Sequence, residues 1–129
     1  MGVYIWDDKK MAEEKILIID DDEFVRKTLR TLLIYRNYAV DIAKDGSSGM
    51  EMAKSDCYDI VLLDINLPDK NGLDVLKDIK SAKLKASVII MTGDASPETE
   101  ENAKRLGAVN YLSKPIAPGT LFTAIQSVR

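Results

Sequence analysis

Histidine is missing altogether from this chain of 129 residues, and cysteine and tryptophan occur once each. Without histidine there is no Ser-His-Asp or Cys-His triad, no histidine general base and no histidine-ligated zinc. The single thiol, Cys57, excludes an internal disulfide and a thiolate zinc site, and it fits a reducing cytoplasm. No apolar stretch approaches membrane-spanning length. No basic run is present either: 18 Lys and Arg stand against 21 Asp and Glu, a net charge of −3. Neither a membrane nor a nucleic-acid backbone is therefore expected among the partners. What remains plentiful is carboxylate, which leaves chemistry to Asp, Lys, hydroxyls and an oxygen-seeking cation. A chain this long with 46% hydrophobic residues is expected to form one domain with a core of its own.

Residues 1–14, which contain the lone Trp6, differ from the rest and are read as an extension preceding a domain of residues 15–129. From Ile16 a rhythm begins. Short apolar or β-branched runs fall at 16–19, 39–43, 60–63, 87–91 and 108–112, at intervals of roughly twenty residues, as βα units with short connections require. The first, third and fourth are apolar nearly throughout, the pattern of parallel strands covered on both faces; the second and fifth are mixed and suit the edges. Helices fill the gaps: Phe24, Val25, Thr28, Leu29, Leu32 and Leu33 form one apolar stripe at three- and four-residue spacing. Ser96 and Pro97 supply a cap and a first-turn proline for a fourth helix whose apolar residues are essentially Ala103 and Leu106. So weakly anchored a helix is a natural moving part. Right-handed crossovers make the economical fold a flavodoxin-like, doubly wound α/β architecture: a five-stranded parallel sheet in order 2-1-3-4-5, with five helices in an α/β/α sandwich.

In such sheets ligands bind beyond the carboxyl ends of the strands. The residues there are Asp20, Asp21 and Asp22 after the first strand, Asp64 after the third, Thr92 after the fourth and Lys114 after the fifth. Each alone has an ordinary reading, an Asp run as a helix cap or a lysine as a solvated charge. Together they bring carboxylates, a hydroxyl and an ammonium to one rim. Carboxylates so close repel one another unless positive charge is supplied. Lys114 supplies one unit, and a divalent cation would supply two. A phosphoryl group is the natural third component, and a carboxylate beside it is a nucleophile toward phosphorus.

The motifs Ile16-Leu17-Ile18-Ile19-Asp20-Asp21-Asp22, Leu62-Leu63-Asp64-Ile65-Asn66-Leu67-Pro68-Asp69-Lys70-Asn71-Gly72, Ile90-Met91-Thr92-Gly93 and Gly107-Ala108 through Tyr111 to Lys114-Pro115 stand on the expected strand ends. From about Lys15 to Val128 the chain resembles the receiver domain of two-component response regulators. The resemblance implies that Asp64 accepts a phosphoryl group from a sensor histidine kinase or a His-phosphotransfer protein. It implies Mg2+ held by Asp20, Asp21 and Asp64 with the main-chain carbonyl of Asn66, and phosphoryl contacts from Thr92 and Lys114. It further implies a cis Lys114–Pro115 bond and Tyr111 as the aromatic switch residue. Asp94 and Asn66 lie two residues beyond Thr92 and Asp64, and the resemblance implies that these positions influence how fast water removes the phosphoryl group. The expected role is a signalling phosphoacceptor rather than an enzyme, controlling an unidentified output partner or effector domain. Homodimerisation through the fourth helix, fifth strand and fifth helix is a family possibility. Ile116 departs from the phenylalanine common in the family.

Two rival readings share the fold. An Asp-nucleophile phosphohydrolase of the haloacid dehalogenase type needs an acid two residues past the nucleophile, where this chain has Asn66. A flavodoxin-like FMN-binding module needs a Ser/Thr/Gly-rich phosphate loop after the first strand, where Asp20, Asp21 and Asp22 would repel the ligand.

Overall fold

A computed structural model describes residues 14–128; Trp6 and nearly all of the expected extension lie outside them. The elements alternate strictly: β1 (Lys15–Ile19), α1 (Glu23–Tyr35), β2 (Ala39–Ala43), α2 (Gly46–Ser55), β3 (Ile60–Asp64), α3 (Gly72–Ser81), β4 (Ser87–Thr92), α4 (Pro97–Arg105), β5 (Asn110–Ser113) and α5 (Pro118–Gln126). The strands form one sheet in order β2-β1-β3-β4-β5 with every pairing parallel, the expected arrangement.

The alternation of side chains along each strand divides the core into two layers. Leu17, Ile19, Val61, Leu63, Val88 and Ile90 pack with Met50 and Ala53 of α2, Val75, Leu76 and Ile79 of α3 and Ala103 of α4. On the other face Ile16, Ile18, Ile60, Leu62, Ile89 and Met91 pack with Leu29 and Leu33 of α1 and Leu121 and Ile125 of α5. Each such Leu or Ile contributes about 1.5–3 kcal/mol on burial, so the three central strands hold most of the fold. Edge strand β2 is only partly buried, as its mixed composition indicates.

Side chains that start the helices also end the strand loops. Asp22 accepts the N–H groups of Phe24 and Val25, Asp45 that of Ser48, Asn71 that of Leu73 and Ser96 that of Thr99, caps worth about 1 kcal/mol each. Helix α4 buries Ala103 alone. Three details depart from the sequence reading. Thr28 of the expected stripe is exposed. Phe24 lies outside the apolar stripe and is 77% exposed in the first turn of α1, whereas Val25 beside it packs on the core. Strand β5 starts at Asn110, after Gly107 adopts φ of 110° just past α4 and leaves Ala108 and Val109 to the connection.

Candidate functional site

Register alone assembles the rim. Ile19 pairs with Leu63, which sets Asp20 opposite Asp64; Asp64 pairs with Met91, one residue before Thr92; and Thr92 pairs with Ser113, one residue before Lys114. The Lys114 N–H donates to the Thr92 carbonyl at 2.8 Å, and the Lys114–Pro115 bond is cis, as expected.

The Lys114 ammonium donates to Asp20 Oδ2 at 2.6 Å and to Asp64 Oδ2 at 3.2 Å. Asp20 is fully buried and Asp64 is 4% exposed, whereas Asp21 faces solvent. Carboxylate oxygens of Asp20, Asp21 and Asp64 all lie within 4.8 Å of one another. The other Asp20 oxygen accepts the Asp22 N–H at 2.9 Å, and the Asp20 carbonyl accepts from the Arg26 guanidinium at 2.7 Å. Asp22 itself is spent on capping α1, so the ordinary reading of the Asp run holds for this one of its three residues. Three carboxylates against the Lys114 ammonium and the Arg26 guanidinium leave the rim net negative. Burial, then the charge of Asp20, raises the Asp64 carboxyl above its usual range, against the opposing pull of Lys114 and the Asn66 N–H. Burial favours the neutral amine of Lys114, but the Asp20 hydrogen bond and the charges of Asp20 and Asp64 outweigh it and raise its pKa. An all-oxygen, net-negative donor set with one solvent-facing member fits a hard divalent cation that keeps some of its water.

Thr92 is 1% exposed, and its hydroxyl oxygen accepts the Asp94 N–H at 3.1 Å, which leaves the hydroxyl proton available to donate. Asn66 is exposed; its N–H reaches Asp64 Oδ1 at 3.3 Å and its side-chain amide donates to Asp94 Oδ2 at 3.1 Å, bridging the loops after β3 and β4. Tyr111 stands apart from the carboxylates. It is half-buried, and its hydroxyl oxygen accepts the Ser96 N–H at the start of α4, at 3.3 Å.

Two contributors escaped the sequence reading. A Cβ on Gly72 would lie 2.1 Å from the Asp64 carbonyl oxygen and 2.7 Å from Ile65 Cα, so only glycine lets α3 start against the strand end that carries Asp64. The signal was present in the Asn71-Gly72 pair, a cap followed by a residue without a side chain. Asp69 stands inside the quoted motif with no role assigned by it, yet its carboxylate accepts the N–H groups of Gly46 and Ser47 at 2.8 Å each.

Comparison with known proteins identifies the family and the fold. The sequence matches the family model described as "Response regulator receiver domain" over residues 16–126. It is 35% identical over 112 residues to the transcriptional regulatory protein DltR of Streptococcus agalactiae, covering 87% of this chain and 50% of that protein. With the cell cycle transcriptional regulator CtrA of Caulobacter vibrioides it shares 31% identity over 114 residues, covering 88% of this chain and 49% of the relative. The chain thus spans about half the length of these curated relatives. Among solved structures, a CheY-like response regulator receiver domain protein from Methanospirillum hungatei superposes with a TM-score of 0.86 at 29% identity, covering 90% of this chain and 93% of that one. A Burkholderia pseudomallei response regulator with a phosphorylated aspartic acid, calcium ion and citrate gives 0.83 at 30% identity, covering 89% of this chain and 68% of the other. With that match running through β1 to α5, the chain belongs to the receiver-domain family of two-component response regulators.

Proposed function

We propose that Asp64 is the phosphoacceptor of this domain, and that a sensor histidine kinase or His-phosphotransfer protein is the donor. The observation that carries this reading is the pocket's charge balance: a nearly buried Asp64 carboxylate lies against one ammonium and two further carboxylates, in excess of what Lys114 neutralises. Asp20, Asp21 and Asp64 would hold Mg2+ with the main-chain carbonyl of Asn66. Bound there, the ion supplies a Lewis acid for phosphoryl oxygens and neutralises the excess charge. A carboxylate oxygen of Asp64 attacks phosphorus, the phosphorus–nitrogen bond of the donor breaks, and the imidazole leaves with the bonding pair. Lys114 then shifts from Asp64 to a phosphoryl oxygen, and Thr92 donates its free hydroxyl proton to another.

The output follows from what Thr92 and Tyr111 touch. Drawing Thr92 toward the phosphoryl group pulls on the Asp94 N–H and on the loop to α4, where Tyr111 holds Ser96. The face of α4, β5 and α5 then changes for an output partner, an effector domain or a second copy of the chain. Residues 15–129 act as the domain and 1–14 precede it. The protein works as a signalling phosphoacceptor in the cytoplasm; no helix among the described residues is long and apolar enough to cross a membrane. Asn66 carries no proton for a leaving group, which speaks against phosphomonoester turnover.

Intact mass after incubation with magnesium and a small acyl phosphate tests the assignment. One phosphoryl adduct is expected on the wild type and none on Asp64→Asn or without magnesium. If the wild type also fails to bind beryllofluoride, the acidic rim has another use.

A further inference from the structure

The loop that follows Asp64 is a closed hairpin held at two places. At its base Asn66 and Asn71 form an antiparallel bridge, and the Gly72 N–H donates to the Ile65 carbonyl at 2.7 Å. At its tip Asp69 reaches across to another element: one carboxylate oxygen accepts the Gly46 N–H and the other the Ser47 N–H, both at 2.8 Å. The neighbouring Lys70 lies over the start of the same helix, where its Cγ would be 2.5 Å from a Cβ on Gly46. Helix α2 already has its own cap in Asp45, which accepts the Ser48 N–H at 2.8 Å. The first turn of α2 is therefore served by two acids, one from its own chain end and one from the acceptor loop. The second serves more than the helix. A hairpin fixed only at its base can pivot, and the residue a pivot displaces is Asn66, next but one to Asp64 and linked to it through its N–H.

We propose that Asp69 is a positioning residue for metal binding: by tying the tip of the acceptor loop to the amino end of α2, it fixes where the Asn66 carbonyl points. The inference rests on the reading above, in which that carbonyl helps hold the cation. The carboxylate form is the one that serves, because two N–H donors facing two oxygens need both as acceptors. Its place outside the metal shell resembles that of other groups which orient ligands without touching the ion.

Calorimetric titration of the full chain with magnesium, and with manganese as a second probe, tests this. Asp69→Ala is expected to weaken metal affinity about tenfold, the lower end for loss of an orienting group. Asp69→Asn keeps a single acceptor oxygen and is expected to fall between it and the wild type. At saturating magnesium both variants should take the phosphoryl group from a small acyl phosphate at the wild-type rate, so the effect appears in affinity alone. The control is Asp45→Ala, which removes the other cap of the same helix turn and should leave metal affinity unchanged even though α2 loses stability. Equal metal affinity in wild type and Asp69→Ala overturns the inference. So does an Asp45→Ala loss as large as that of Asp69→Ala, which would mean that α2 stability alone matters. A wild type that binds neither metal would instead refute the metal site itself.

Discussion

Replacing Gly72 by alanine tests how tightly the fold controls Asp64. The added Cβ would stand 2.1 Å from the Asp64 carbonyl oxygen, 2.7 Å from Ile65 Cα and 2.9 Å from the Asp64 carbonyl carbon, where real Cβ contacts essentially never fall below 3.0 Å. All three obstacles are backbone, so no side-chain rotation relieves them. Either α3 withdraws or the end of β3 moves, by roughly 1 Å in total, at a cost of about 1–3 kcal/mol for overpacking of this kind. Withdrawal also stretches the 2.7 Å bond from the Gly72 N–H to Ile65 and is resisted by the buried Val75, Leu76 and Ile79. Part of the displacement therefore reaches Asp64. A reacting group misplaced by about 1 Å loses on the order of 100-fold in rate. Urea unfolding followed by circular dichroism, with the rate of labelling by a small acyl phosphate at saturating magnesium, reads both effects. Gly119→Ala is the matched control. Nothing lies within 4 Å of its would-be Cβ, and alanine in the first turn of α5 should leave stability unchanged or raise it by up to about 1 kcal/mol. The reasoning is refuted if Gly72→Ala keeps both midpoint and labelling rate, or if the control falls equally far.

Four shorter predictions follow from the same geometry. Lys114→Met should cost about 3 kcal/mol in metal-free protein near pH 8, because Asp20 and Asp64 lose their shared cation; urea midpoints should show a smaller loss near pH 5 or with magnesium, and an equal loss everywhere would contradict this. The raised Asp64 carboxyl favours the folded state below the usual carboxylate range, and that contribution disappears as pH rises through its folded value. Metal-free Asp64→Asn should accordingly melt higher than wild type at neutral pH, with the gap closing near pH 4 and on adding magnesium. Asp69 runs the other way: its bond from the Gly46 N–H, aided by Ser47 and opposed by slight desolvation, holds the carboxyl down to about 2. Its contribution is complete above the ordinary carboxylate value and is lost as pH falls toward 2, so carboxyl-detected NMR should find this group among the last to protonate and Asp69→Asn should flatten the acid limb of unfolding. Asp94→Ala opens the Asn66–Asp94 bridge and should shorten the lifetime of the phosphorylated form in a time course of intact mass; a longer lifetime would show that the carboxylate orients the attacking water instead.

The legible part of this protein is the part governed by periodicity. Runs of buried Ile, Leu and Val gave three inner strands and two mixed edge strands, and the parallel order then carried Asp20, Asp64, Thr92 and Lys114 to one rim with no further information. What stayed hidden was set by contacts between loops. Asp69 reads as a polar turn residue because nothing in its own segment announces a helix start twenty-three residues earlier as its partner. Phe24 fits the helical stripe by spacing, yet it is 77% exposed while Val25 beside it packs on the core, and spacing alone does not separate the two. The start of β5 was placed two residues early because Ala108 and Val109 are apolar, while the positive φ of Gly107 delays the strand until Asn110.

Why α4, rather than its neighbour α3, should answer the acceptor site can be argued from magnitudes. Helix α3 begins against the Asp64 carbonyl and buries Val75, Leu76 and Ile79 completely, so shifting it exposes side chains worth about 1.5–3 kcal/mol each. Helix α4 buries Ala103 alone, with Leu106 partly covered against the same core. A hydrogen bond from a neutral hydroxyl to a charged phosphoryl oxygen contributes about 1.5–3 kcal/mol. That is enough to displace α4 and several-fold too little to displace α3. The links to α4 are already in place: Thr92 accepts from Asp94, and Tyr111 accepts from Ser96 at the first residue of the helix cap. A charge event at Asp64 would therefore meet one helix anchored by three fully buried side chains and a next one held by Ala103, a partly covered Leu106 and the Ser96–Tyr111 bond. In the proposed switch a single new hydrogen bond would suffice to move α4, because so little apolar burial opposes it.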